Sequence, residues 1–355
     1  MTQSMFRRRP IQLLLLGALL FIVASAVPPA VISQLRPLSP GQSLSFSTKP
    51  AAGISIVAHI DGSQGLPTDN RDRPDCLSDT PGYSCFVASA DIRMVSAQTT
   101  SEGDDDGEVW ADSVLQVLVD EDVVAELNDS LLLDARSTFP VADAVSRMSI
   151  SVPALASGMS SDPFIREGLQ YFFPFSTSRQ SYPYFDSTTQ YPLLLDYVRE
   201  TKHHGVETYE FHHRFTNLSL DRESERAINF PVELNSHLDV LASSGVGVPR
   251  YAVDRTLWVE PESGTIIDIH ENLHLFFAAD EPQSTDRSFQ PSPDYTIFHT
   301  ISQWDDETIA QQTATAEDVL STLRTLQVVA VVLKTLALLA VLGGVVLLFR
   351  EHRSA

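Results

Sequence analysis

Apolar residues are densest at the two ends of the chain. Leu326–Phe349 (LQVVAVVLKTLALLAVLGGVVLLF) holds 24 residues with a single charge, Lys334. As a helix rising 1.5 Å per residue it would extend roughly 36 Å, more than a hydrocarbon core of about 30 Å, and it predicts a membrane span over 325–349. At the other end Ile11–Val27 (IQLLLLGALLFIVASAV) follows the basic run Arg7-Arg8-Arg9. A basic flank, an apolar run and the small residues Ala24-Ser25-Ala26 also outline a cleavable signal peptide. Apolar character resumes at Ala30-Val31-Ile32 after Pro28-Pro29, which favours a retained helix over 11–32. Basic residues flank the outer limits of both runs, so a cytoplasmic N-terminus (1–10), a cytoplasmic tail (350–355) and an extracytoplasmic middle (33–324) are expected. Two antiparallel helices would set Gly17 and Gly343 both about 9 Å from the cytoplasmic edge, and Gly17, Gly343 and Gly344 are the expected helix-pair contact.

Between these ends the period shortens to two. From Gly41 to Val95 short apolar runs such as Gly53–Ile60 (GISIVAHI) alternate with polar turn clusters, a strand signal. Trp110–Leu127 has a mixed period that suits a helix or a pair of strands. Phe172–Asp186 (FFPFSTSRQSYPYFD) is too rich in aromatics and proline for a regular helix and predicts extended segments. A hairpin is expected from Leu193–Glu200 and Val206–Phe215 about a turn at Lys202–Gly205. In its second strand Tyr209, Phe211 and Phe215 take one face, and Glu210, His212 and Arg214 the other. A second hairpin joins Arg255–Glu260 to Thr265–Phe277 through Pro261-Glu262-Ser263-Gly264. Helical character returns in Asp305–Arg324, with Thr315 and Asp318 as a capping pair and a continuous helix expected over Ala316–Phe349. The fold class expected is α+β, mainly β: one large antiparallel β-rich domain between two terminal membrane helices.

Charge narrows the function classes. Within Ser33–Arg324, 18 Lys and Arg stand against 45 Asp and Glu, a formal charge of −27. Nucleic-acid binding needs the opposite sign and is not expected. Cys76 and Cys85 are the only cysteines, separated by a Pro81-Gly82 turn, and predict one small disulfide loop in an oxidising compartment.

Candidate chemistry is sparse. The acidic run Glu102–Glu108 (EGDDDGE) fails the EF-hand pattern, because the twelfth position counted from Asp104 is Leu115, and a solvated loop is expected. His270 and His274 share a face of a strand, but four residues separate them by about 13 Å, too far for one ion. His203-His204 sits at a turn, and His212-His213 point to opposite faces if extended. No metal site and no cofactor are expected. Without a G-x-S-x-G elbow, an HExxH motif or a P-loop, no enzymatic activity is expected either.

Four segments in order, Leu133–Val141 (LDARSTFPV), Phe173–Asp186 (FPFSTSRQSYPYFD), Gly205–Phe211 (GVETYEF) and Arg255–Ile267 (RTLWVEPESGTII), together with the apolar ends, resemble the actinobacterial PorA-type envelope proteins. That family name implies a pore. An outer-membrane barrel, however, needs repeated strands with a lipid-facing apolar band, which a middle of charge −27 does not offer. Two terminal helices holding a β-rich outer domain are similar in architecture to the class B scavenger receptors, which implies a lipid tunnel. Three roles follow as expectations. In the first, a membrane-tethered envelope protein binds or conducts a lipid, glycolipid or other apolar ligand, with Phe173, Phe175, Tyr182, Tyr184, Phe185, Tyr209, Phe211 and Trp258 as lining aromatics. In the second the chain is a porin-like subunit, and in the third a scaffold that binds another envelope protein.

Overall fold

The computed structural model describes residues 8–32, 38–58, 65–79, 81–152, 154, 157–160, 162–220 and 247–353. Helix α1 spans Arg8–Ile32. The strands that follow are β1 (Ser43–Ser47), β2 (Ala51–Ile56), β3 (Val87–Glu102), β4 (Glu108–Val119), β5 (Asp122–Asp134), β6 (Arg147–Val152) and β7 (Ser157–Ser160). Then come β8 (Tyr182–Asp186), β9 (Tyr191–His203), β10 (Val206–Ser219), β11 (Val248–Val259), β12 (Ile266–Ala278), the short helix α2 (Glu281–Arg287), β13 (Thr296–Gln303) and helix α3 (Asp306–Arg353). The chain divides into two compact units: α1 with the part of α3 from Glu317 onward, and the sheet domain ending at Ala316.

The thirteen strands form one sheet in the order β7-β6-β5-β4-β3-β2-β13-β12-β11-β10-β9-β8, with β1 paired to β3. Every strand pairing is antiparallel. The mainly β expectation therefore holds for the domain. Trp110–Leu127, ambiguous by period, is a hairpin: β4 and β5 turn at Asp120-Glu121, both left-handed (φ 47° and 74°), with Val119 opposite Asp122. Its mixed period arises because Leu115, Val117, Ala125 and Leu127 face an internal cavity while Val114 and Val123 face outward. The β9–β10 hairpin has a tighter turn than its sequence suggests, with His203 opposite Val206 and only His204-Gly205 between them. The β11–β12 hairpin turns at Pro261–Gly264, where Glu260 caps the turn by accepting from the backbone N–H groups of Glu262 and Ser263.

Strand β13, last in sequence, lies in the middle of the sheet between β2 and β12. Its ladder to β2 is short, Phe298 opposite Ser55 and His299 opposite Ile54. Gly53 makes that approach possible. A Cβ on it would lie 2.4 Å from the His299 carbonyl oxygen and 2.5 Å from Ile92 Cδ1. Gly53→Ala is therefore expected to destabilise the domain by about 1–3 kcal/mol, as overpacking against backbone does. Urea denaturation followed by tryptophan fluorescence checks this, and an unchanged midpoint would refute it.

Helix α3 starts ten residues before the expected Ala316. Asp305 is the cap, its carboxylate accepting from the Thr308 N–H at 2.8 Å, while Thr315 instead donates its hydroxyl to the Gln311 carbonyl one turn back. Helix signal from Asp306 onward is masked in the sequence because few of its first positions are apolar. Two of them are tied into the domain: Ile309 packs with Trp304, Leu257 and Val259, and Ala316 with Val206 and Ile267.

In the helical unit α1 and α3 meet closely at Gly17. A Cβ there would stand 2.6 Å from Val341 Cγ2 and 2.9 Å from the Ala337 carbonyl oxygen, so this crossing has no room for a side chain. Gly343 is looser, 4.0 Å from Leu13 Cδ1, and Gly344 is buried. Gly17 thus packs against the helical turn just before Gly343. Among the described residues α3 is the helix long and apolar enough to cross a membrane, and Ile11–Val27 forms a shorter apolar stretch.

Candidate functional site

The sheet curls around a cavity of about 400 Å³. Strands from both ends of the sheet order, β6 (Met148, Ile150) and β8 (Tyr184, Phe185), contribute to one wall system with the central β12 and β13. This size lies in the range of small-ligand sites. On β12 the alternation assigns the faces beyond the irregularity near Ile266: Ile269, Glu271, Leu273 and Leu275 line the cavity, and Asp268, His270, Asn272 and His274 lie on the opposite face.

One charged patch interrupts the mostly apolar wall. The Arg255 guanidinium donates to Asp186 Oδ2 at 3.1 Å and, by its Nε, makes a short contact to Glu271. Tyr251 donates its hydroxyl to the same Asp186 oxygen at 3.2 Å. Asp186 also accepts from the Thr188 and Thr189 N–H groups, which fixes the β8–β9 turn. His213, the inner-face neighbour of Phe211 on β10, lies 3.3 Å from Arg255. Burial, reinforced by the Arg255 charge, pushes its pKa down to about 3, so it is neutral beside the cation. Period-two alternation places His213 opposite His212, but its burial depends on Tyr184 of β8 and Arg255 of β11 packing against the ring, which sequence does not give.

A second polar knot backs the cavity wall. Arg166 and Asp129 form a two-pronged ion pair (2.8 and 2.5 Å) with both side chains fully buried. Tyr171 donates to Asp129 at 2.7 Å, Gln170 accepts from Arg166 at 2.6 Å, and the guanidinium stacks 4.0 Å over the Phe185 ring. Tyr171 and Gln170 both line the cavity.

Of the eight aromatics expected as a lining, Tyr184 and Phe185 stand in the cavity wall. Phe173, Tyr182 and Phe211 pack on one another in the main core, with ring centroids 5.3–5.8 Å apart. Tyr209 packs edge-on to Tyr197 and beneath Arg179, and Phe175 is half-buried. Trp258 lies on the opposite face, stacked on His203 with centroids 4.1 Å apart. Aliphatic and small residues supply most of the wall; their alternation is visible in β4, β5 and β12, but not that these strands face one space. Cys76 and Cys85 are joined in a disulfide, Cα atoms 5.6 Å apart, and cluster with Ala58 and Phe86.

On that opposite face the β9–β10 hairpin tip meets β12. His203, His204 and His270 each bring Nε2 toward Asp268 Oδ2, at 2.8, 3.4 and 3.1 Å, and Asp268 is 1% exposed. Burial works to raise the Asp268 pKa, yet hydrogen bonds from His270 and His203 outweigh it and hold the carboxyl below its ordinary value. The strand spacing of His270 and His274 does not reveal this cluster, since His203 reaches Asp268 across 65 residues. The usable signals are Asp268-x-His270 on one strand face and a His-His-Gly hairpin tip.

The described chain is thus a curled antiparallel β-domain whose last strand leads into a helix long and apolar enough to cross a membrane. The family model described as Porin PorA matches residues 10–346, and the chain belongs to that family, which implies a cell-envelope or membrane location. It is similar to Porin PorA of Corynebacterium resistens, 27% identical over 401 residues with 96% of each chain covered. It is also similar to Porin PorA of Corynebacterium amycolatum, 22% identical over 347 residues, covering 86% of this chain and 89% of that one.

Proposed function

We propose that this chain is a porin-like subunit of the cell envelope, held in the membrane by helices at both ends with residues 33–324 outside. The family match over 10–346 carries this reading. Two helices enclose no channel, so a conducting unit requires helices from several chains. Lys334 is the one charge within Leu326–Phe349 and is exposed on α3, where a ring of such residues would bias ion passage. Purified full-length protein in planar bilayers is expected to give stepwise conductance, and Lys334→Gln to shift its reversal potential under a salt gradient toward cations. Absence of steps beyond a mock preparation overturns the reading. Labelling of cysteines introduced at Thr2 and Ser354 by an impermeant maleimide only after lysis is expected for the two-span arrangement; labelling of either one in intact cells rejects it.

The cavity favours a second reading, in which the domain holds a lipid or other apolar molecule, an arrangement similar to that of the class B scavenger receptors. Its support is the apolar wall around about 400 Å³ with a single charged patch at Arg255, Glu271 and Asp186. Mass spectrometry of the purified protein would show about one lipid per chain under this reading, lost in the space-filling Ala125→Trp variant. Lipid equally retained by both proteins would reject the cavity as its site.

A further inference from the structure

We propose that His203, His204 and Asp268 bind one divalent transition-metal cation of the Zn²⁺ class, with His270 steadying the carboxylate. The donor atoms of these three residues lie within 4.8 Å of one another. A tetrahedral ion with bonds of about 2.0–2.1 Å holds its ligands roughly 3.3 Å apart, close to the 2.8 and 3.4 Å separating the two imidazoles from Asp268 Oδ2.

Hydrogen bonding alone accounts poorly for the cluster. A carboxylate oxygen has two lone pairs, yet three imidazole nitrogens converge on Oδ2, while the Ile269 N–H occupies Oδ1 at 2.8 Å. Moving two of the three onto a cation relieves that crowding and leaves His270 as the hydrogen-bonding partner that orients the ligand. The turn is also made to present a side chain. His204 holds a left-handed backbone (φ 47°) at the first central position of a two-residue hairpin turn, where Asn, Asp or Gly are usual. His203 is fixed by its stack on Trp258, which in turn meets His270 edge-on at 4.7 Å.

Two imidazoles and a carboxylate select borderline ions such as Zn²⁺, Ni²⁺ or Cu²⁺ over Ca²⁺ and Mg²⁺, which require oxygen donors. The fourth position is open to water. Bound metal would tie the tip of the β9–β10 hairpin to β12, and the domain's −27 charge would concentrate cations around it. The site lies on the face of β12 opposite the cavity and is independent of what the cavity holds.

Tag-free full-length protein in detergent, stripped with chelator, is titrated with ZnCl₂ at pH 7.5 by calorimetry and with Co²⁺ by visible absorption. One ion per chain is expected, with tetrahedral Co²⁺ bands. Asp268→Asn and the double variant His203→Gln/His204→Gln should weaken binding on the order of 100-fold or more, and His270→Gln about 10-fold. His212→Gln, which alters an imidazole paired with Asp254 elsewhere on that face, should leave binding unchanged. Should Asp268→Asn fail to fold, His204→Gln at the half-exposed turn decides, with wild-type melting as its control. No saturable binding up to millimolar Zn²⁺, or wild-type affinity in the folded His203/His204 or His204 variants, overturns the proposal.

Discussion

Asp129→Asn is expected to cost the sheet domain about 3–5 kcal/mol, because it leaves the Arg166 charge buried without its counter-ion. The Arg166 side chain is fully buried between Asp129, Gln170 and the Phe185 ring. Arg166→Met should cost a similar amount by stranding the carboxylate, which would then rely on the Tyr171 hydroxyl alone among the knot's donors. The double variant Asp129→Leu/Arg166→Met should recover much of the loss, since an apolar pair of similar volume avoids desolvating two charges. Urea denaturation of the full-length protein in detergent, read by tryptophan fluorescence, measures all three. Single variants within 1 kcal/mol of wild type, or a double variant as unstable as the sum of the singles, would refute this account.

Stability should fall as the pH drops from about 6.5 to about 4, before most carboxylates titrate. His274 is fully buried on β12, bonded through Nδ1 to the Ser288 carbonyl and through Nε2 to the Thr296 hydroxyl, both at 2.9 Å. Burial pushes its pKa down to about 4, with His299 nearby adding to the effect. The unfolded chain, with its ordinary value near 6.5, takes up the proton first. The contribution is therefore complete above pH 6.5, is lost as pH falls toward 4, and amounts to about 3 kcal/mol. His213 acts in the same direction and extends the loss toward pH 3. The carboxylates of Asp134 and Asp305, held below their ordinary values, withdraw their contributions only in the more acid range. Denaturation midpoints between pH 7.5 and 4 should slope downward, with a shallower slope in His274→Gln whatever its stability at neutral pH. Equal slopes in the two proteins would remove His274 as the cause.

What could be foreseen from sequence was local. The hairpins β9–β10 and β11–β12 announced themselves through alternating residues around a Gly-containing turn, and Cys76 and Cys85 through their nine-residue separation. The insertion of β13 between β2 and β12 leaves no such trace, because its pairing with Ile54 and Ser55 spans most of the chain. The same holds for the two polar clusters. Asp129 meets Arg166 across 37 residues, and Asp268 meets His203 across 65, so no local pattern says that either pair comes together. Aromatic content is a poor guide to the lining: Phe173, Tyr182 and Phe211 are large enough to satisfy one another, and Leu115, Leu127 and Leu273 face the space instead.

The central position of β13 has a consequence for biogenesis. Strands β2 to β7 form one run of neighbours in chain order and β8 to β12 another, so each can assemble as it is synthesised. Within the sheet the two runs are joined by residues 296–303, immediately ahead of the last helix, while the Asp129–Arg166–Phe185 packing links β5 to β8 through side chains alone. Until residues 296–303 arrive, β2 and β12 each present an edge without its partner strand, where a chaperone would find its substrate. A chain terminated before Thr296 should therefore be cleared by proteolysis, although it would lack only β13 and α3.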